Sequence, residues 1–403
     1  MHRLGALAAI GALGLLGCIT ARADGGIEIR VLLYEGPGPI RVGSTAPSAP
    51  APVRVRLASP ETLDVGFGVG ESDPPGRWTP KGAGPWRVGQ RIVRGRVVVR
   101  ADQGRILVVN HVDLEQYVAS TVGGEMIPSW PQAALQAQAV AARTYVLHEA
   151  AERESAPWHV RSTAASQVYR GLETETPETH SAARATEGEV LTYRGEPILA
   201  VFHSTAGGRT ASAGEVWGED RPYLRIVDVR DEADAPHTYW RAEFDAAALE
   251  RVLELAGVRV GRLESLEVVE RTASGRVRQL RVSGSGGRAG FSGRRMRDLL
   301  GGLSLRSTLF DIRRTEGGFA FVGSGHGHGV GMSQWGARAM AESGASYERI
   351  LETFYPGTRL ERWRPGHLVS GRGRLMDRTE SMASTRNTSG RVEGSQGSEG
   401  VGR

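Results

Sequence analysis

Three stretches of the sequence carry residue types able to do chemistry. The first is VGGEMIPSWP, Val122 to Pro131, where Glu125 follows two glycines and is flanked by Met126, Ile127 and Trp130. A carboxyl group among apolar side chains has its ionised form disfavoured. Its pKa therefore rises toward the range of a general acid working near neutral pH. The plain alternative is a carboxylate capping the N-terminus of the following helix. The second stretch is FHSTAGGRTAS, where His203, Ser204 and Thr205 close an apolar run and Gly207 and Gly208 turn the chain. Strand ends at glycine turns are common functional positions, although a lone histidine there is more often structural. The third is GSGHGHGVGMSQWG, Gly323 to Gly336, with His326, His328 and a Met-Ser-Gln-Trp run.

The third stretch admits three readings. A zinc ion would use His326 and His328, with His203 as the one natural third ligand, and no HExxH helix supports it. A serine nucleophile, Ser333 or Ser204, would want a G-x-S-x-G elbow, which the sequence lacks. The third reading is the wall of a glycine-rich substrate cleft. Gly325, Gly327, Gly329 and Gly331 would admit a polar chain close to backbone, His328, Ser333 and Gln334 would hydrogen-bond to it, and Trp335 would face a sugar ring. Gln138 and Arg143 are polar residues in a mostly apolar helix. They would reach the same cleft, or the arginine would be exposed or sit in a salt bridge.

These residues need elements to hold them. IEIRVLLYE and QRIVRGRVVVRADQGRILVVNHV read as antiparallel strands, the latter broken at Asp102-Gln103-Gly104. Asp113 and Glu115 fall on the strand-turn that follows and read as structural. SWPQAALQAQAVAARTYVLHEAAERE predicts a helix over Ser129 to Glu154, with Ser129 as N-cap, Gln132 closing a capping box and Pro131 in the first turn. Leu135, Ala139, Ala142 and Val146 form its core stripe. Residues Gln167 to Glu215 read as alternating, with a buried strand entering the glycine turn. FDAAALERVLELAG is a helix capped by Asp245 and Gly257, LESLEVVERTASGRVRQLRVSGSGG a hairpin, and SGRRMRDLLGG a short helix. Two helices separated at Gly344 follow Trp335. Strands and helices mix without a βαβ rhythm, which gives an α+β fold of mixed antiparallel strands around an Ala-rich central helix.

The chain has 403 residues, 40% hydrophobic and 24% charged, enough for a sizeable core. Lys81 is the only lysine, so the formal charge of +5 is nearly all arginine. Arginine suits carboxylate or phosphate partners, and a GC-rich genome would give the same bias. No basic cluster is interleaved with aromatics, which argues against nucleic acid. MHRLGALAAIGALGLLGCITARA over 1–23 has a basic start, an apolar centre and a small-x-small ending, the pattern of an export signal. LLGC at Leu15 to Cys18 offers lipid anchoring as the alternative. The expectation is a protein of the periplasm or cell envelope. Cys18 is the only cysteine, so disulfides, thiolate zinc sites and a cysteine nucleophile are excluded from the mature chain. No later stretch approaches the length of a membrane span. The expected organisation is signal 1–23, N-terminal β region 24–112, catalytic core 113–363 and disordered tail 364–403.

VNHVDLEQYVASTVGGEMIPSWPQAALQAQAVAARTY, SQVYRG, AVFHSTAGGRTASAGEVWGEDRPYL and GHGHGVGMSQWGARAMAESGASYERILETFYPGT together resemble the SpoIID/LytB family of bacterial cell-wall proteins. The four blocks stand in the family's order and span roughly Ile27 to Arg362. The resemblance implies peptidoglycan as substrate. Sporulation members are lytic transglycosylases that cleave the MurNAc–GlcNAc bond without water and leave 1,6-anhydro-MurNAc. Other relatives are described as amidase enhancers, which implies a wall amidase as an alternative partner. The resemblance places the catalytic glutamate on Glu125 and the family's helix arginine on Arg143. Ile127 stands where the family usually has proline. The structural zinc of sporulation members is not carried over, because the mature chain lacks the cysteines, and no cofactor is expected.

Overall fold

The structure is a computed structural model that describes residues 26–66, 70–71, 76–230, 232, 234–301 and 305–363. The expected export signal, Cys18 and the tail from 364 lie outside these residues.

The valine-rich runs near the N-terminus pair as the alternation predicts. Arg105–Asp113 lies between Glu28–Gly36 and Arg96–Asp102, antiparallel to both. The turn between the last two strands places Gln103 and Gly104 at φ 48° and 76°, the left-handed geometry that matches strand twist in a tight hairpin. Val97 to Val99 and Ile106 to Val109 are all buried, so both faces of this hairpin are covered. One cover is Trp158, which packs with Leu32, Leu107 and Val109. Val160–Arg161 adds a short parallel edge to the same sheet. A five-stranded sheet built around Ile40–Ser44 completes the region.

The described residues form helices α1 (Leu114–Glu125), α2 (Gln132–Glu152), α3 (Pro177–Ala185), α4 (Ala213–Trp217), α5 (Ala246–Leu255), α6 (Gly293–Leu300), α7 (Gln334–Glu342) and α8 (Tyr347–Phe354). The sequence predicts no helix before Ser129. Instead Asp113 caps α1, accepting from the N–H groups of Glu115 and Gln116, and the double glycine Gly123-Gly124 is helical rather than a turn. The predicted start of α2 is also corrected. Trp130 N–H donates to the Ile127 carbonyl at 3.0 Å, closing a separate turn that leaves Ser129 outside the helix. Pro131 then stands at the N-cap and no side chain caps it. The expected stripe of Leu135, Ala139, Ala142 and Val146 is fully buried, and so are Ala134, Ala137, Val140 and Ala141. α2 is thus a central rod surrounded on nearly all sides, and its alanines allow α1, α3, α7 and α8 to pack closely around it.

α3 lies where the sequence reads as alternating. Thr176 and Thr179 form a reciprocal capping box and Pro177 occupies the first turn, all local signals for a helix. Further on, the expectations hold. Asp245 caps α5, accepting from Ala248 N–H at 2.6 Å, and Gly257 follows its end at φ 80°. Leu263–Arg271 and Val277–Gly284 form the hairpin, and Gly287–Ser292 adds a third strand. These strands, α5 and α6 enclose a second core around Leu249, Leu280, Phe291, Met296, Phe310 and Phe321. A short parallel pair, Phe202–His203 with Met332–Ser333, delivers the chain from the Gly318–Ser324 strand into α7.

Candidate active site around Glu125

Glu125 is the last residue of α1. A Cβ on Gly124 would run into the Val168 carbonyl, and one on Gly123 into the Thr174 carbonyl. The two glycines therefore let the end of α1 lie directly on the 168–174 backbone. That approach brings the Glu125 carboxylate to the Val168 N–H, from which Oε1 accepts at 2.6 Å. Its other oxygen, Oε2, accepts from Gln334 Nε2 at 3.4 Å, and the same nitrogen lies 3.5 Å from Gln138 Oε1. Burial pushes the Glu125 pKa up, while the bonds from Val168 and Gln334 pull it down. Burial wins, and no neighbouring charge figures among the causes. The carboxylate does not cap α2.

An aromatic pair stands on the flanking residues. Trp130, five positions after Glu125, meets Trp335, the residue after Gln334, edge to face with ring centroids 4.9 Å apart. The Arg338 guanidinium lies 4.8 Å from the Trp335 ring and 5.7 Å from that of Trp130. Several buried polar atoms near the carboxylate have no hydrogen-bond partner among the described residues: Thr121 Oγ1 one turn back on α1, Gln138 Nε2, and Nε2 of Gln167 beside Val168. The structure thus brings Gln138, Gln334 and Trp335 together with Glu125, as the sequence suggests. Sequence reasoning missed the Val168 N–H and Gln167, since neither carries a local signal.

The glycine-rich segment is placed differently from the expected cleft wall. Gly325, Gly327, Gly329 and Gly331 have φ between 71° and 115°, and each faces this chain. A Cβ on Gly325 would lie 2.9 Å from the Thr205 carbonyl oxygen and one on Gly327 2.8 Å from His203 Cβ. On Gly329 it would strike the Arg276 guanidinium, and on Gly331 the Val201 carbonyl. The glycines weld the segment to residues 201–211; they do not open a groove. Ser333 is buried as the N-cap of α7, accepting from Gly336 N–H and donating to Glu232. Glu232 also accepts from the N–H groups of Ala206 and Gly207 at 2.9 Å each and of Gly208 at 3.4 Å. Gly207 and Gly208 therefore cradle a buried carboxylate of the protein. Thr205 is buried and pairs with His326 through backbone, while the Ser204 carbonyl accepts from Trp335 N–H.

A sequence profile described as stage II sporulation protein matches residues 102–193, and a second, described as a domain of unknown function, matches residues 224–331. Stage II sporulation protein D of Bacillus amyloliquefaciens is 32% identical over 265 residues, covering 62% of this chain and 74% of that protein. The protein of the same name from Bacillus subtilis (strain 168) is 31% identical over 269 residues, covering 62% and 75%. The chain belongs to the stage II sporulation protein D family. The amidase enhancer of Bacillus subtilis (strain 168) is 30% identical over 284 residues, 59% of this chain but only 39% of that protein.

In this member of the stage II sporulation protein D family, Arg143 is not free to hold a substrate. It is fully buried, and its donors are engaged within the protein. Nε and Nη2 donate to the two oxygens of Glu115 at 2.8 and 2.6 Å, Nη2 also to the Ala183 carbonyl, and Nη1 to the Glu189 carbonyl and Thr186 Oγ1. The pair ties α1 and α2 to the end of α3. It also removes Glu115, which stands in the first turn of α1, as a second acid.

His328 of this family member is likewise committed, while His203 keeps one buried ring nitrogen, Nε2, with no hydrogen-bond partner among the described residues. His328 donates from Nε2 to the Phe202 carbonyl at 2.8 Å and accepts at Nδ1 from Val330 N–H at 3.1 Å, and burial pushes its pKa down to about 4. His203 donates from Nδ1 to the Val330 carbonyl at 3.1 Å, and burial holds its pKa far below the ordinary value. His326 packs edge to face on His237, its pKa pushed by burial to about 4. Among the described residues no three His, Cys, Asp or Glu side chains converge as a metal-binding group. No helix among them is long and apolar enough to cross a membrane.

Proposed function

We propose that the protein is an exported peptidoglycan lytic transglycosylase in which Glu125 acts first as acid and then as base. The observation that carries this reading is the carboxyl group itself: its pKa is raised by burial and not by a second carboxylate. Retaining and inverting glycosidases need two carboxylates at a set separation. A transglycosylase needs one. Protonated Glu125 donates to the glycosidic oxygen as the C1–O bond of MurNAc breaks. The carboxylate left behind accepts the proton of that sugar's C6 hydroxyl as its oxygen bonds to C1. A 1,6-anhydro end forms, no water is consumed, and Glu125 finishes protonated as it began. Trp130 and Trp335 supply an apolar face beside the acid, and Gln138 and Gln334 supply amide groups for sugar hydroxyls.

De-peptidated glycan strands incubated with the protein should yield anhydro-MurNAc ends by mass spectrometry. Glu125→Gln should lower the rate about 1,000-fold or more. Ordinary reducing ends as products would replace this reading with hydrolysis. Similarity to a protein named amidase enhancer favours a second reading, a glycan-binding stimulator of a wall amidase. Full stimulation of an amidase by the Glu125→Gln protein, with no anhydro products from wild type, would establish that instead. Export by the 1–23 segment, with lipid attachment at Cys18 as the alternative, belongs to this proposal. So does the division into a β region over 24–112 and a catalytic core over 113–363.

A further inference from the structure

Tyr117 lies about two turns before Glu125 on α1 and is fully buried. Its hydroxyl donates to Gln167 Oε1 at 2.6 Å. Its ring stacks on that of Tyr169, with centroids 5.4 Å apart and planes 18° from parallel. One side chain therefore holds both neighbours of Val168, the residue whose N–H donates to Glu125 Oε1 at 2.6 Å. The reaction proposed above uses that carboxyl group and leaves Tyr117 without a task.

Such a hold matters because residues 167–170 belong to no strand. Their burial alternates: Gln167 and Tyr169 are buried, Val168 is partly exposed and Arg170 is exposed. A stretch of this kind has no ladder of backbone hydrogen bonds to fix it, so its inward side chains must do so. The Gln167 amide nitrogen has no hydrogen-bond partner among the described residues, which leaves the bond from Tyr117 to hold that side chain. Tyr169 is anchored at its far end, where its hydroxyl donates to Asn110 Oδ1 at 2.8 Å. Asn110 Nδ2 in turn donates to the carbonyls of Arg94 and Arg96 at 2.8 and 3.2 Å, so this end rests on the N-terminal sheet. The fit is close as well. The Val168 carbonyl stands too near Gly124 for a Cβ there, and a short bond from an N–H to a carboxylate weakens when the donor moves or tilts.

We propose that Tyr117 is a positioning residue for the Glu125 acid, holding Gln167 and Tyr169 so that the Val168 N–H stays on Oε1. The role rests on the reading of Glu125 as the acid, and Tyr117 itself acts only through Val168. Its consequence is electrostatic. Of the two bonds that pull the Glu125 pKa down against burial, the one from Val168 is the stronger. Loosening it lets burial carry the pKa higher, and the proton then leaves only at higher pH. The clamp adds no charge of its own, because burial pushes the pKa of both phenols up and they stay neutral while Glu125 titrates. α2 and α7 bring only the uncharged amides of Gln138 and Gln334 to this place.

The test is an NMR titration of the Glu125 side-chain carboxyl carbon in the full chain, its resonance assigned by its loss in Glu125→Gln. Tyr117→Phe keeps the ring on Tyr169 and drops the bond to Gln167. Gln167→Met drops the same bond from the other side. Each should move the midpoint up by about 0.5–1 pH unit. Tyr355→Phe is the control, because it drops a buried phenol's bond to a different segment, the Val201 carbonyl, and its midpoint should stay at the wild-type value. Circular dichroism checks that each variant is folded, and Gln167→Met carries the test if Tyr117→Phe is not. An unmoved midpoint in either folded variant would leave Tyr117 as packing alone and overturn the inference. So would an equal rise in Tyr355→Phe, which would trace the effect to a general loosening. The titration needs no cleavage. If wild type yields anhydro ends, the alkaline limb of its pH–rate profile should move with the midpoint. If it yields none, the clamp still stands or falls on the titration, so the two proposals fail separately.

Discussion

Ser333 and Gln334 are consecutive, yet each meets a different carboxylate, Glu232 buried and Glu125 half-buried. Ser333 donates to Glu232, which also accepts from three successive backbone N–H groups over 206–208. Gln334 reaches Glu125 at 3.4 Å, and the one short bond to that carboxylate comes from Val168. Glu232 is saturated and Glu125 is not. A carboxylate that accepts several backbone N–H bonds is tied to the fold, and removing it would strand those donors. One with a single strong donor in an apolar setting is free to gain and lose a proton. The comparison gives Glu232 a structural role and leaves Glu125 as the acid of the proposed reaction. Glu232 is also the more deeply buried of the two.

The largest effect that sharpens this contrast is on stability. Glu232→Ala should cost about 3–5 kcal/mol in a urea unfolding experiment, because three backbone N–H groups and the Ser333 hydroxyl lose a buried partner. A loss below about 1 kcal/mol would break the comparison. Next is Gly329→Val, at about 1–3 kcal/mol, since φ is 83° there and a Cβ would strike Arg276. A cleft wall, as the sequence alone suggests, would instead have cleavage weakened more than folding. Residual activity should track the folded fraction, measured by circular dichroism and product release together.

Smaller still is Gln334→Leu, for which an approximately tenfold loss of kcat is expected. The amide lowers the Glu125 pKa, so its removal raises it further. The alkaline limb of the pH–rate profile, where Glu125 loses its proton, should then move to higher pH. An unmoved limb would show that Gln334 serves the substrate alone. The smallest effect is on thermal stability. The folded pKa of Glu125 is raised above its ordinary 4.5, so the folded state holds this proton more tightly than the unfolded chain. Stability from this group is therefore full below pH 4.5 and is lost as pH rises through the raised folded value. Glu125→Gln should melt slightly higher than wild type at pH 8 and no higher at pH 4.

Much of the fold is legible because its signals are local. Asp245 before an apolar period, Ser292 before α6 and Gly344 between α7 and α8 each act on backbone within a turn of themselves. α3 was equally legible from Thr176, Pro177 and Thr179, and only the alternating apolar pattern around it hides the helix. The site is legible in part. Glu125 among apolar neighbours already implies a raised pKa. The histidines mislead, because His-Gly-His has the composition of a metal loop, while in the structure one of its imidazoles has both nitrogens on backbone and the other packs on His237. Arg143 misleads in the opposite sense, for nothing near it in sequence announces Glu115, 28 residues away.

From the residues alone come the α+β class, the Ala-rich central helix, the double glycine before Glu125 and a family resemblance carried by four motif blocks. Those are matters of local backbone preference and of residue identity, and both are written along the chain. Tertiary structure alone decided which polar groups are already satisfied. Glu232 and the 206–208 backbone are 24 to 26 residues apart, Ser333 and Glu232 are 101 apart, and Gln334 and Glu125 are 209 apart. Whether a buried carboxylate is structural or reactive depends on how many donors reach it, and those donors come from segments that only folding brings together. The glycines of the His-Gly-His segment illustrate the same point. Their number shows that something lies close to the backbone, and only the fold shows that it is the protein's own chain.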